Sequence, residues 1–149
     1  QQNWAVIKAL LQSNQGRDHV LPEDIAFADS VFREFLSIRH QSPLLRLRTA
    51  TQIKQAIEFI NTGSKHVNGV IAMRIKDSSL DIDPALDEML ILFNHNRTDK
   101  TLEVPTAQQF KLHSVQQNGV DGTVKKTRIG SGTITVPGLS IAVLIKPAS

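Results

Sequence analysis

The chain of 149 residues has no cysteine, no tyrosine and one tryptophan. Without cysteine there is no disulfide framework, no thiolate metal site and no cysteine nucleophile. A chain of this length can still bury enough surface to fold without staples. The shortage of aromatic rings is also informative. Modules that bind sugars present flat Trp and Tyr faces, and this sequence offers one Trp and six Phe. Long apolar runs are missing too: none approaches the roughly 20 residues needed to span a bilayer. No charge of one sign dominates, since 17 basic and 14 acidic residues leave a net +3. The basic residues are dispersed, with Lys125, Lys126 and Arg128, or Arg46 and Arg48, the nearest approach to a cluster. A nucleic-acid binder concentrates charge on one face, so no nucleic-acid partner is expected.

The usual catalytic and ligand motifs are equally absent. There is no GxSxG elbow, no HExxH and no GxxxxGK[ST] loop. The histidines, His19, His40, His66, His95 and His113, never recur at the i, i+3 or i, i+4 spacing of a helical metal pair. Surface or capping roles are expected of them. The densest acidic stretch holds Asp77, Asp81, Asp83, Asp87 and Glu88, but Pro84 and Ala85 break the calcium-loop pattern after Asp83. A solvated loop with Asp83-Pro84 opening a turn is the expectation. Asn96-Arg97-Thr98 fits a glycosylation sequon, a pattern common by chance.

What is present is a change of texture near residue 48. Before it, Trp4, Ile7, Lys8 and Leu11 follow helical spacing with Asn3 as a plausible N-cap, and this short helix is expected to bury one side. SNQGR (Ser13 to Arg17) reads as a loop. Pro22, Glu23 and Asp24 suit the start of a second helix, along which Ala28, Val31, Phe32, Phe35 and Leu36 form an apolar stripe. Pro43 forces Ser42 into an extended conformation and ends the helix there. A further helical turn is expected over Thr49 to Lys54. Beyond it the chain reads as short strands: Ala56 to Ile60, Val70 to Lys76, Met89 to Phe93, Thr101 to Val104, Phe110 to Val115, Thr133 to Val136 and Ser140 to Ile145. The last two read as a closing hairpin about Pro137-Gly138. Phe59, Phe93 and Phe110 alone fall in strands, so an aromatic platform is not expected. About eight short strands predict a mainly β fold, an antiparallel β-sandwich preceded by two α-helices.

The ordered series FREFLSIRHQSPLLRLRTA (Phe32 to Ala50), EFINTG (Glu58 to Gly63), GVIAMRIKD (Gly69 to Asp77), IDPALDEMLILFN (Ile82 to Asn94), FKLHSVQ (Phe110 to Gln116) and TITVPGLSIAVLIKP (Thr133 to Pro147) resembles the C-terminal end of pullulanase-type and limit-dextrinase-type α-1,6-glucan debranching enzymes of the α-amylase superfamily. The resemblance implies two parts. Residues 1–48 would be a helical segment at the tail of a catalytic (β/α) barrel, and residues 49–149 a C-terminal β-sandwich of the domain C type. It also implies a parent that cleaves α-1,6 links in pullulan, limit dextrins or glycogen branches, retaining configuration through a covalent glycosyl-enzyme. A barrel needs about 250 residues, so none fits here, and neither family catalytic carboxylate has a matching position. No catalytic, cofactor or metal residue is therefore assigned on this chain, and calcium is left to the parent.

The expected partners are the catalytic barrel of the same polypeptide and, through it, an α-glucan. Trp4, Phe32, Phe35, Leu36, Pro43 and Leu44 are the candidate barrel-interface residues, chosen for their apolar spacing. The alternative is an autonomous α-glucan-binding module. The opening QQNWAVIKALLQ has no basic n-region or small-residue cleavage site, so any signal of a secreted or cell-envelope-associated parent would lie upstream.

Overall fold

The computed structural model describes residues 3–12, 20–64, 66–77 and 81–148, excepting the side chains of 10 and 11. His19, the SNQGR loop and residues 78–80 of the acidic stretch lie outside them. In chain order the elements are helices α1 (Trp4–Gln12) and α2 (Pro22–Gln41), a 3-10 turn (Pro43–Arg46) and α3 (Ala50–Ala56). Strands β1 (Ile57–Phe59), β2 (Val70–Lys76), β3 (Leu86–Asn94), β4 (Lys100–Glu103) and β5 (Lys111–Leu112) follow. The chain then forms α4 (Ser114–Asn118), β6 (Arg128–Ile129), β7 (Thr133–Val136) and β8 (Ser140–Pro147), with short 3-10 turns at Ala107–Gln109 and Val124–Lys126.

The strands form two antiparallel sheets, ordered β1-β2-β3-β8-β5 and β4-β7-β6. The expected mainly β sandwich with leading helices is the fold. Its central strand β3 explains the uninterrupted apolar run. Leu90 and Leu92 point into the core shared by the two sheets, with Val104, Ile134, Val136 and Leu144. Met89 and Ile91 point the other way, into a second core with Ile38, Leu44, Ala56, Ile75 and Val143. Strand residues alternate between faces, so a strand apolar at every position must be covered on both. The result is three layers: helices, five-stranded sheet, three-stranded sheet.

Four local readings are corrected by the structure. Ala56 ends α3 rather than opening a strand. Thr49 accepts a hydrogen bond from Gln52 N while the Gln52 side chain accepts from Thr49 N; this capping box starts the helix, which runs two residues past Lys54 before Ile57 N closes it on Ile53 O. The expected strand over Phe110 to Val115 stops at Leu112, because the His113 ring accepts from Val115 N and caps α4. β7 and β8 are not a hairpin: β7 pairs with β4 and β6, and β8 with β3 and β5, so the Pro137-Gly138 turn crosses between sheets. And α1 buries no described side chain: Trp4 is 69% exposed, with Val6 and Ile7 also open to solvent.

Candidate docking face and the clasps that hold it

At 100° per residue, one side of α2 carries Val31 and Ile38 with Phe35 at its flank, and the opposite side carries Ile25, Phe32 and Leu36. The structure separates these sides sharply. Ile38 is 1% exposed, and Phe35 packs against the second core. Ile25, Phe32 and Leu36 are 63%, 62% and 49% exposed. The single stripe expected over Ala28 to Leu36 is thus two, one turned to the sheet and one turned away. A helix apolar on both sides is the pattern of an element covered on both sides. The candidate residues divide accordingly. Trp4, Phe32 and Leu36 are exposed, Phe35 and Pro43 are half-buried, and Leu44 is fully enclosed in this chain's own core.

Two polar clasps fix α2 and its continuation on the sandwich. Midway along the helix, the Glu34 carboxylate accepts the Val120 N–H at 2.6 Å. Gly119 gives this contact its room, since a Cβ there would overlap the Glu34 carboxylate. At the end of the helix, the Ser42 hydroxyl donates to Asp83 at 2.6 Å and accepts from Leu44 N. Asp83 is 6% exposed and also accepts from Ala85 N, so this part of the acidic stretch is a buried clasp and not a solvated loop. Asp77 in turn accepts from the backbone of Ile82 and Asp83.

The other motifs of the sequence are clasps within the sandwich. Asn61 of EFINTG donates to Val67 O and Val70 O and accepts from Val67 N, closing the loop before β2. Gly63 and Gly69 lie in that loop at φ +81° and +70°, where a side chain is strained. Asn94 of ILFNHN is 3% exposed; its amide nitrogen lies 2.9–3.1 Å from the carbonyls of Thr98, Val136 and Pro137. It ties β3 to the crossing between the sheets. Gln116 of FKLHSVQ donates to Ile141 O and accepts from Val143 N, both at 2.8 Å, so a side-chain amide continues the ladder beyond β5. Periodicity could not single these residues out. Their signal was a polar side chain beside an apolar run, at a point where backbone groups need partners.

A groove of about 440 Å³ lies between α2 and the sheet, lined by Phe27, Val31, Phe35, Phe93 and Ile141 with polar groups at its edge. The carboxylates there are engaged: Glu34 holds Val120 N, and Asp121 accepts from Thr123 N and Val124 N. Burial lowers the pKa of His113, which is 4% exposed, and the hydrogen bond at Nδ1 puts the neutral ring's proton on Nε2. The amide nitrogen of Asn96 donates to Asn68 O and Asn94 Oδ1, so the sequon's acceptor nitrogen is occupied. Among the described residues no three His, Cys, Asp or Glu side chains are grouped to hold a metal ion, and no helix is long and apolar enough to cross a membrane.

Residues 1–147 match the family described as "Alpha-1,6-glucosidases, pullulanase-type, C-terminal". The chain belongs to this family. It is 32% identical over 97% of its length to the chloroplastic pullulanase 1 of Arabidopsis thaliana, and 28% identical over 78% to the pullulanase of Klebsiella pneumoniae. It spans only 16% and 11% of those two proteins. Apo pullulanase from K. pneumoniae shares the fold with a TM-score of 0.79 at 23% identity, over 85% of this chain and 14% of that one. A Paenibacillus barengoltzii pullulanase mutant in complex with maltotetraose shares it at 0.62 and 22% identity, over 80% of this chain and 16% of that one. The chain is thus a pullulanase-type C-terminal domain, and the motifs quoted from its sequence are the clasps and turns of that fold.

Proposed function

We propose that this domain is the non-catalytic end of an enzyme that cleaves α-1,6-glucosidic links in pullulan, limit dextrins or glycogen branches, and that it braces the catalytic barrel. Residues 1–48 form the tail of the barrel and residues 49–149 the sandwich against which that tail is set. The two-sided apolar character of α2 carries the reading. Phe35 and Ile38 are satisfied by the sandwich, whereas Ile25, Phe32 and Leu36 gain a partner only if another body lies on the far side. The carboxylates Glu34, Asp77, Asp83 and Asp121 support a structural role, since each accepts backbone or hydroxyl hydrogen bonds inside the domain.

The test titrates the isolated domain calorimetrically with pullulan-derived maltooligosaccharides and measures reducing-sugar release in the same samples. Neither heat nor hydrolysis is expected. Saturable binding would make the domain an α-glucan-binding module, and hydrolysis that follows the protein through purification would overturn the non-catalytic reading.

A further inference from the structure

The outer face of the five-stranded sheet is covered unevenly. Its side chains form cross-strand rows. In the row Ile57, Ile75, Met89, Ile145 the two central residues are buried and the two outer ones half-buried. In the row Phe59, Met73, Ile91, Val143 burial is complete at the β8 end and lost at the β1 end, where Phe59 is 54% exposed. In the row Ile71, Phe93, Ile141 no residue is fully buried, and Ile71 is 55% exposed. The cover given by α2, the 3-10 turn and α3 therefore ends along a diagonal, and Phe59 and Ile71 share the open corner. The charged neighbours Glu58 and Lys76 pair at 2.9 Å on the opposite face. The corner is continuous with α2, because Phe93, paired with Ile71, lines the groove together with Phe27, Val31 and Phe35.

We infer that Phe59 and Ile71 form a second contact for the body that covers Phe32 and Leu36, so that the catalytic portion of the parent chain straddles α2 and rests on the β1–β2 corner of the sheet. This rests on the proposed function. It adds that the docking surface is an angle between a helix and a sheet, not a helix face alone. The occupant fits on two grounds. Large apolar side chains on adjoining surfaces of two elements call for one apolar partner spanning both. The relatives also carry most of their length outside the matched segment, which is 16% and 11% of them.

Phenylalanine reacts readily with hydroxyl radicals, so the intact parent enzyme carries its own probes. Footprinting with peptide mass spectrometry reads oxidation at Phe32, Phe59 and Phe110, the last being 4% exposed and the buried reference. Phe59 is expected to oxidise as slowly as Phe110, several-fold below the rate its exposure in this domain would give, and Phe32 likewise. Slow Phe32 with fast Phe59 would overturn the second contact and leave the brace intact. Fast oxidation at both would remove the two together. Protection of Phe59 that disappears on dilution would assign the corner to a second copy of the protein and overturn the inference.

Discussion

Single residues in this domain count most where a polar group serves the backbone. Asn94 is the clearest case, because its amide nitrogen faces three carbonyls. Asn94→Ala leaves buried carbonyls unsatisfied and is expected to cost about 2–3 kcal/mol in urea unfolding. Asn94→Asp is expected to cost more, since it turns a carboxylate oxygen toward those same carbonyls. Two glycines give a paired test of close approach. A Cβ at Gly138 would meet the Arg97 carbonyl carbon and oxygen at 2.5 Å, whereas at Gly119 it meets only the movable end of Glu34. Gly138→Ala should therefore destabilise by about 1–3 kcal/mol and Gly119→Ala by clearly less, measured by thermal melts. His113 sets a pH dependence. Its pKa is lowered from 6.5 in the folded state by burial, so the unfolded chain binds the proton more readily. The stability it contributes is complete above pH 6.5 and is lost as pH falls through the lower folded value. Denaturant midpoints should decline below pH 6.5, and the slope should flatten in His113→Asn.

At the scale of elements, β2 and β3 were legible in the sequence because their patterns have one cause each. Val70 to Lys76 alternates across a sheet covered on both faces, and the run from Met89 is apolar throughout because β3 lies between two cores. The start of α2 was legible from Pro22, and the helical turn expected over Thr49 to Lys54 anticipated α3. What period-two reading missed was produced by side chains that take over backbone roles. His113 caps α4 and Gln116 extends β5's ladder, and neither leaves a periodic signal. Nor does alternation reveal which sheet a strand joins, hence the misread hairpin of β7 and β8. The split apolar face of α2 was hidden for a similar reason, since spacing gives the direction of a side chain and not what covers it. The predicted consequence is an asymmetry within one helix. In the isolated domain Ile38→Ala should cost about 2–5 kcal/mol, whereas Phe32→Ala, 62% exposed, should fall within about 0.5 kcal/mol of zero. Equal losses at the two positions in chemical denaturation would contradict the assignment of the two faces.

Over the whole molecule, the candidate site was partly legible. Trp4, Phe32 and Leu36 are on the open surface, but Leu44 belongs to the second core, and Phe59 and Ile71 entered only when the sheet's cover was known. Family membership came from ordered motifs whose physical content is a set of clasps: Ser42 with Asp83, Asn61 with its loop, Asn94 with the sheet crossing. These residues tie the loops and sheets together and leave an apolar surface on one side of the domain. The proposed brace requires this surface to be a fitted face. The most direct measurement is thermal inactivation of the intact parent enzyme carrying Phe32→Asp and Leu36→Asp, beside the same pair in the isolated domain. A large drop in the inactivation temperature of the parent and an unchanged melting temperature in the domain are expected. A parent as heat-resistant as the unsubstituted enzyme would contradict the brace.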